Sequence, residues 1–533
     1  MPFARHAAAR FAAATAVGLS LGVASGAPAV AAGASPASST SATAGPIKHL
    51  VVIFDENVSF DHYFGTYPHA ANPAGEPAFH ALPGTPKVNG LTKALLTHNP
   101  NSANPTRLDR SQAFTCDNDH GYTSEQKAFD GGKMDRFIET TGPARPGCDP
   151  RSVMDYYDGN TVTALWNYAQ RFAMSDSSYD ATFGPTLLGH LNLVAGQTHG
   201  ATVTGGTTSA VPNGTVISNI APRTEDCADP NTPRIEMSGR NIGDLLNARH
   251  VSWGHFYEGF RATSRNADGS AVCGASHANL AGAVQQDYYP AGKEPFQYWE
   301  STANPHHLPP SSTAEIGHAG PANHQYDLTD FWSAADAGAL PSVSYLNPAG
   351  YDDGHPQSSD PLDEQHFIVN AVNHLQRLPS WKSTAIVIAY DDSDGWYDHQ
   401  MPPIRNSSQD PAHDALDGTG VCGKGQPAGG YLDRCGYGSR QPLLVLSPYA
   451  KRNAVDHTPT TQASILRFVE DNWLGGRRIG DASFDATARS LNGMFDLKHP
   501  IRKPLLLDPT TGQPTSAGHL SADTPGSPAA SRH

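Results

Sequence analysis

The chain has little charge, few cysteines and, beyond its first thirty or so residues, no long apolar run. Charged residues make up 16% of 533 positions, and 51 Asp and Glu outweigh 36 Lys and Arg to leave a net charge of −15. That balance excludes a protein that coats nucleic acid or another polyanion through its net charge. No segment after the N-terminal stretch stays apolar for the roughly 20 residues that a membrane-spanning helix needs, so no transmembrane segment is expected. The six cysteines never fall in a Cys-x-x-Cys spacing, and their separations do not suit a zinc cluster. Neither a P-loop nor a dinucleotide fingerprint occurs in a strand-to-helix context, and no internal repeat recurs at a solenoid period. What is abundant is Gly (51) and Pro (43), beside 38% hydrophobic residues with aromatics spread throughout. This is the composition of a globular protein with many ordered loops. The length allows several domains, but layered α/β folds often spend several hundred residues on one core, and one large domain is expected.

Arg5 and Arg10 precede an Ala-rich apolar stretch that ends in small residues around Ala29-Val30-Ala31. The pattern is that of a secretory signal peptide over residues 1–31, which places the mature protein outside the cytoplasm, in a periplasmic or extracellular location. The stretch is too short and too rich in Ala and Gly to read as an anchor, and it lacks the adjacent arginines of the twin-arginine route. Residues 32–45 are mostly Ala, Ser, Thr and Gly and read as a flexible spacer. In an exported chain six cysteines read as three disulfides, for which sequence alone leaves 15 pairings. Cys422 and Cys435 bracket a Gly-rich loop; if the other bridges also join neighbours, Cys116 pairs with Cys148 and Cys227 with Cys273.

Alternating strand and helix patterns predict an α/β fold with a central, mostly parallel sheet. The run Ile47 to Phe54 is short, apolar and rich in β-branched residues, and it stops abruptly at Asp55-Glu56-Asn57. The same pattern returns at Thr384 to Tyr390, which ends in Asp391-Asp392-Ser393-Asp394-Gly395. Further strands are expected at Pro341 to Leu346, Leu443 to Ser447 and Val251 to Tyr257. A helix is expected from Asp363 to Leu378, with Asp360 as cap and Pro361 in its first turn, and another from Thr461 to Trp473. The Gly/Pro-rich stretches 68–115 and 200–235 read as loops over a site at the strands' carboxyl ends. The folded region is expected to span 46–507, with 508–533 a low-complexity tail.

Glu56, Asn57, Asp391 and Asp392 offer three carboxylates and an amide oxygen at the ends of two buried strands. Unpaired they repel one another, and a divalent cation with hard-oxygen preference would hold them together. Asp55 to Gly65, with the sequence DENVSFDHYFG, resembles the opening motif of the bacterial phosphoesterase family that contains phospholipases C and acid phosphatases. Further segments fit in order: Phe183-Gly184-Pro185-Thr186 through His190-Leu191 and Gly196-Gln197, Asp352-Asp353-Gly354-His355-Pro356, and Asp391 through His399. Cys435-Gly436-Tyr437-Gly438, Ser447-Pro448-Tyr449 and Asp471-Asn472-Trp473-Leu474 complete a likeness that spans about residues 47 to 497.

The resemblance implies a fold like that of the alkaline phosphatase superfamily and a metal-assisted phosphoryl transfer. Carried over residue by residue, it assigns one metal ion to Glu56, Asn57, Asp391 and Asp392, with the Thr186 hydroxyl as both ligand and nucleophile. It assigns site histidines to His120, His324 and His355, and Asp398 and His399 are candidates for a supporting layer. The residue types agree with that chemistry. Metal coordination favours the alkoxide of a hydroxyl that is otherwise a poor nucleophile, and His is suited to protonate a leaving oxygen. The ion's identity stays open among Mg²⁺, Ca²⁺, Mn²⁺, Zn²⁺ and Fe. One departure from the family pattern is Leu187-Leu188-Gly189 before His190, where relatives usually carry a Pro-Asn pair, and it bears on the local shape of the site.

Two enzymatic readings compete within the resemblance. The favoured one is an acid phosphatase acting on small phosphate esters through a phosphothreonine. The chain ends soon after the catalytic core, where longer phospholipases continue into further β domains, and Asn323 to Trp332 looks closer to the acid-phosphatase branch. The alternative is a phospholipase C that cleaves phosphatidylcholine-type headgroups and touches a membrane surface transiently. A third reading is a non-catalytic exported binding protein. No nucleic-acid partner is expected.

Overall fold

The computed structural model describes residues 43–516. The expected signal peptide, and with it nearly all of the spacer, lies outside the described residues. Nine strands form one sheet: His49–Asp55 (β1), Ala173–Tyr179 (β2), Trp253–Tyr257 (β3), Gln325–Asp327 (β4), Val343–Asn347 (β5), Thr384–Tyr390 (β6), Arg440–Leu446 (β7), Ala454–Asp456 (β8) and Thr460–Thr461 (β9). Their order is β4-β3-β5-β1-β6-β7-β2-β8, with β9 also paired to β2. All neighbours run parallel except β7, which is antiparallel to both β6 and β2. The fold is therefore α/β with a mostly parallel central sheet.

The interior strands read as continuous apolar runs because both their faces are covered. Leu50 to Phe54 and Ala385 to Tyr390 are all buried. β2 is the exception, since its sequence AMSDSSY is polar yet every residue in it is buried. Its polarity is answered locally: Asp176 accepts from the backbone N–H of Asn89 at 2.8 Å and lies 2.7 Å from Nδ1 of His457. Such a strand carries no hydrophobic alternation and is silent in the sequence.

Seven helices matter for the site: Phe60–Phe64 (α1), Tyr122–Phe129 (α2), Thr163–Arg171 (α3), Thr186–Ala195 (α4), Leu328–Asp336 (α5), Pro361–Arg377 (α6) and Gln462–Trp473 (α7). α6 begins as its sequence dictates. The Asp360 carboxylate accepts from the N–H groups of Leu362 and Asp363 at 2.7 and 3.3 Å, and Pro361 occupies the first turn. α7 packs on α4, α5 covers β3 and β4, and α3 lies against β2, β7 and α6. No helix among the described residues is long and apolar enough to cross a membrane.

The three disulfides join Cys116 to Cys148, Cys227 to Cys273 and Cys422 to Cys435, the neighbour pairing among the fifteen. The boundary expected at 508 falls inside packed structure. Leu505 and Leu507 are buried, Asn373 and Gln376 of α6 hydrogen-bond their backbones, and Asn167 of α3 donates to the Gly512 carbonyl at 2.9 Å. Composition marks this stretch as a tail; the amide side chains of two helices hold it to the body through Gly512.

Candidate active site

β1 and β6 are parallel neighbours in which Asp55 stands opposite Tyr390, so the residues that follow emerge side by side at one edge of the sheet. Asp391 N–H donates to the Asp55 carbonyl at 3.1 Å, and Val58 N–H to the Asp392 carbonyl at 3.0 Å. One oxygen of each aspartate is spent on the backbone: Asp391 accepts from Asn57 N–H (3.1 Å) and Asp392 N–H (2.7 Å), and Asp392 accepts from Asp394 N–H (2.7 Å). The other atoms have no such partner. Both Glu56 oxygens, Asn57 Oδ1, Asp391 Oδ2 and Asp392 Oδ2 are buried and accept no hydrogen bond. Asn57 is held at φ 61°, a conformation that costs energy for a residue with a side chain and that concentrates at functional sites. Burial, with Glu56 and Asp392 alongside, drives the Asp391 carboxyl well above the ordinary range. Buried hard-oxygen atoms without hydrogen bonds, with a Glu56 and an Asp391 oxygen within 4.8 Å of each other, fit a divalent cation.

Thr186 opens α4 directly after Pro185 and is buried. It lines a cavity of about 350 Å³ together with Glu56, Tyr289, Lys293, Asp353 and His355. A helix N-terminus facing such a cavity favours an anion. His190 lies four residues further along α4, hence on the same face as Thr186. Its Nε2 stands 3.7 Å from Glu56 Oε1, and neither ring nitrogen has a hydrogen-bond partner. Burial lowers this imidazole to about 4, against the pull of Glu56, so it is neutral and able to join Glu56 and Asp391 around an ion. Gly189 explains the departure in the Leu-Leu-Gly segment. A Cβ there would come 2.0 Å from the Asp391 carbonyl oxygen, so only glycine lets α4 lie against the carboxylate turn.

Of the three histidines carried over by resemblance, the structure brings two together. The rings of His120 and His355 are 6.3 Å apart, with Asp117 and Asp394 beside them. His120 Nδ1 is 3.2 Å from Asp394 Oδ1, the oxygen that also accepts from Asn57 Nδ2 at 3.1 Å. Burial opposes charge on His120, but Asp392, Asp394 and Asp117 together carry its pKa well above the ordinary value. His324 is not brought to them. It precedes β4 at the edge of the sheet and stacks on Trp253, at the amino end of β3, with its Nδ1 2.9 Å from the Trp253 carbonyl oxygen. The carboxylates leave the carboxyl ends of β1 and β6, so His324 lies toward the other end of the strands.

Asp398 and His399 do not touch the carboxylate set. Arg440 of β7 donates to Asp398 Oδ2 and to Asp61 Oδ1, each at 3.0 Å, and His399 Nδ1 lies 2.5 Å from Asp61 Oδ2. This buried network ties α1, which follows Glu56 and Asn57, to the loop that carries Asp391 and Asp392. Sequence reasoning passed over His190, whose four-residue spacing from Thr186 was readable, and Asp394, which sits in the quoted DDSD run. It also passed over Lys293, for which the chain carries no local sign. Lys293 Nζ is 3.4 Å from Glu56 Oε1 and bonds Asp353. Glu125 of α2 was likewise unmarked. It accepts from Gly184 N–H and Ser393 Oγ, both at 2.8 Å, and burial beside Asp392 pushes it up to about 8.

The chain is similar to several known proteins. Phospholipase C A of Mycobacterium tuberculosis (strain ATCC 25618 / H37Rv) is 24% identical over 442 residues, covering 79% of this chain and 73% of that protein. The non-hemolytic phospholipase C of Burkholderia pseudomallei (strain K96243) is 26% identical over 473 residues, 82% of this chain and 56% of the relative. Non-specific phospholipase C6 of Arabidopsis thaliana is 24% identical over 425 residues, 77% of this chain and 63% of the relative. Among solved structures, a Vibrio parahaemolyticus protein of the alkaline phosphatase superfamily aligns over 64% of each chain at 9% identity and a TM-score of 0.27, too slight a likeness to argue from. The model of the phosphoesterase family matches residues 47–474, from the start of β1 to the end of α7, and so takes in both carboxylate turns, Thr186 and the paired histidines. With that match over most of its length, the chain belongs to the phosphoesterase family and is a hydrolase of phosphoric esters.

Proposed function

We propose that this protein is an exported, metal-dependent phosphomonoesterase that acts through Thr186. The observation that carries the reading is the set of five buried oxygens without hydrogen bonds, on Glu56, Asn57, Asp391 and Asp392, of which Glu56 lines the same cavity as Thr186. A divalent cation held there, with His190 in reach, would polarise a phosphoryl oxygen and acidify the Thr186 hydroxyl. Thr186 Oγ1 then attacks phosphorus in line and the leaving oxygen departs on the opposite side. His120 is held charged by its carboxylates and, with Nδ1 turned to Asp394 and the Asn118 carbonyl, keeps Nε2 to protonate that oxygen. Lys293, buried between Glu56 and Asp353, adds positive charge where phosphate charge develops. Water then opens the phosphothreonine. The small cavity, lined by charged and hydrogen-bonding groups, suits a compact monoester.

One observation favours phospholipase C as a second reading. The hairpin of Ser276–Ala278 and Val284–Gln286 supplies Gln285 and Gln286 to the cavity and leaves its own Leu280 and Val284 two-thirds exposed. A lipid surface would cover them, and the named relatives are phospholipases.

The test is hydrolysis of p-nitrophenyl phosphate and p-nitrophenylphosphorylcholine from acidic to neutral pH by the parent, Thr186→Ala and chelator-treated protein. The expected result is turnover of the monoester, a loss of at least about 10³-fold in Thr186→Ala, and loss on chelation that added divalent ion restores. Preference for the choline ester moves the substrate to phospholipid. Undiminished activity of Thr186→Ala, or no turnover of either ester, overturns the mechanism.

A further inference from the structure

A second set of ligating side chains, separate from the active-site carboxylates, lies near Tyr122 of α2. Asp410 and His413 precede Cys422, and Asp433 lies inside the loop that the Cys422–Cys435 disulfide closes. Asn213 Nδ2 donates to Asp410 Oδ2 at 2.6 Å and to Asp433 Oδ2 at 2.8 Å, which fixes both carboxylates, and Asp410 Oδ1 also accepts from Ala412 N–H at 2.6 Å. His413 Nδ1 lies 3.4 Å from Asp410 Oδ1 and 3.6 Å from Asp433 Oδ1. The Asp433 side chain is 0% exposed, yet its Oδ1 has no hydrogen bond, and neither has the buried His413 Nδ1.

These separations are too long for hydrogen bonds, which bring N and O to about 2.7–3.2 Å. They are the edge lengths of a coordination polyhedron instead, because donors about 2.1 Å from a tetrahedral ion stand about 3.4 Å from one another. We propose that Asp410, His413 and Asp433 bind a divalent ion of the zinc type, separate from the active-site ion, with Asn213 orienting the carboxylates. One imidazole nitrogen and two single carboxylate oxygens form a mixed N/O set that suits Zn²⁺ better than the all-oxygen shells of Ca²⁺ or Mg²⁺. The His413 side chain is 27% exposed, so water completes the fourth position.

The role follows from what the site ties together. Asp410 N–H donates to Asp414 Oδ2 at 2.6 Å, and Asp414 Oδ1 accepts from the Tyr122 hydroxyl at 2.7 Å, two residues beyond His120. Cys435 N–H donates to the same hydroxyl at 2.9 Å, while its carbonyl accepts from Phe183 N–H at 3.0 Å, three residues before Thr186. An ion here pins the loop that supports both His120 and the nucleophile segment, in the manner of a structural zinc.

The experiment uses the full-length, disulfide-intact chain carrying Asp391→Asn and Asp392→Asn, which removes two carboxylates of the other ion site without changing side-chain shape. After chelation the protein is titrated with Zn²⁺ by calorimetry and its bound zinc counted by mass spectrometry. One Zn²⁺ per chain is expected, giving intense tetrahedral absorption when Co²⁺ replaces it, and His413→Gln in the same background loses that ion. No zinc in this background, or an ion that survives His413→Gln, overturns the proposal. His413→Gln replaces a part-exposed side chain, and its circular dichroism confirms that the fold is kept. Because the readout is bound metal, failure of the hydrolase reading leaves this outcome untouched.

Discussion

His324 stacks on Trp253 with ring centroids 4.4 Å apart, and its Nδ1 lies 2.9 Å from the Trp253 carbonyl oxygen. Burial is the main cause that lowers its pKa, to about 4 from an ordinary 6.5, with the carbonyl contact resisting the change. The unfolded chain therefore takes up a proton below pH 6.5 that the folded chain refuses until about pH 4. Stability from this group is fully present above pH 6.5 and is lost as pH falls through that window, at up to about 1.4 kcal/mol per pH unit and about 3 kcal/mol in all. His324→Gln keeps an N–H for the carbonyl and cannot titrate. Denaturant unfolding of parent and variant at pH 7 and pH 4.5 should show the difference shifting toward the variant at the lower pH. A difference independent of pH refutes the neutral, buried state. Resemblance names this histidine as a site residue, and the strand register places it toward the amino ends of the strands, packed on Trp253.

At the scale of elements, α4 is the piece on which the site turns, and Gly189 sets how closely it approaches the carboxylates. Gly189→Ala places a methyl group 2.0 Å from the Asp391 carbonyl oxygen. The expected result is a loss of about 3 kcal/mol in unfolding free energy, together with loss of phosphate ester hydrolysis, because helix and carboxylate turn cannot both hold position. A variant as stable as the parent would show that α4 can retreat. β1 and β6 were legible because β-branched runs end sharply at acids, and α6 because its cap, its proline and its 3.6-residue period agree. α4 shows no such period, since all ten of its residues are buried, and β2 is polar and buried at once. Burial on every side erases the contrast between faces on which sequence reading depends.

Across the whole molecule, the ligands of one site come from residues 56 and 391, joined because β1 and β6 are neighbours. That juxtaposition was readable from two strands ending in acids. The approach of Lys293 to Glu56 was not, because it depends on the path of a long irregular segment with no period of its own. Three disulfides hold such segments. In the loop-entropy account, bridges spanning 13 and 46 residues constrain the unfolded chain by about 3 and about 4 kcal/mol. Cys227→Ser/Cys273→Ser should therefore lose more stability than Cys422→Ser/Cys435→Ser in denaturant titration. The reverse order would mean that the shorter bridge acts through the folded state, as expected if it presents His413 and Asp433 to an ion.

Residues 505–507 show how one helix can grip an irregular segment. Asn373 donates to the Leu507 carbonyl at 2.7 Å and accepts from its N–H at 3.1 Å, while Gln376, one turn on, does the same for Leu505 at 2.7 and 2.8 Å. Each side-chain amide stands in for a peptide unit, so α6 presents to residues 505–507 the donor and acceptor pattern of a neighbouring strand. The amides fix the register of the backbone, and the buried Leu505 and Leu507 side chains add the apolar contact that a core strand would make.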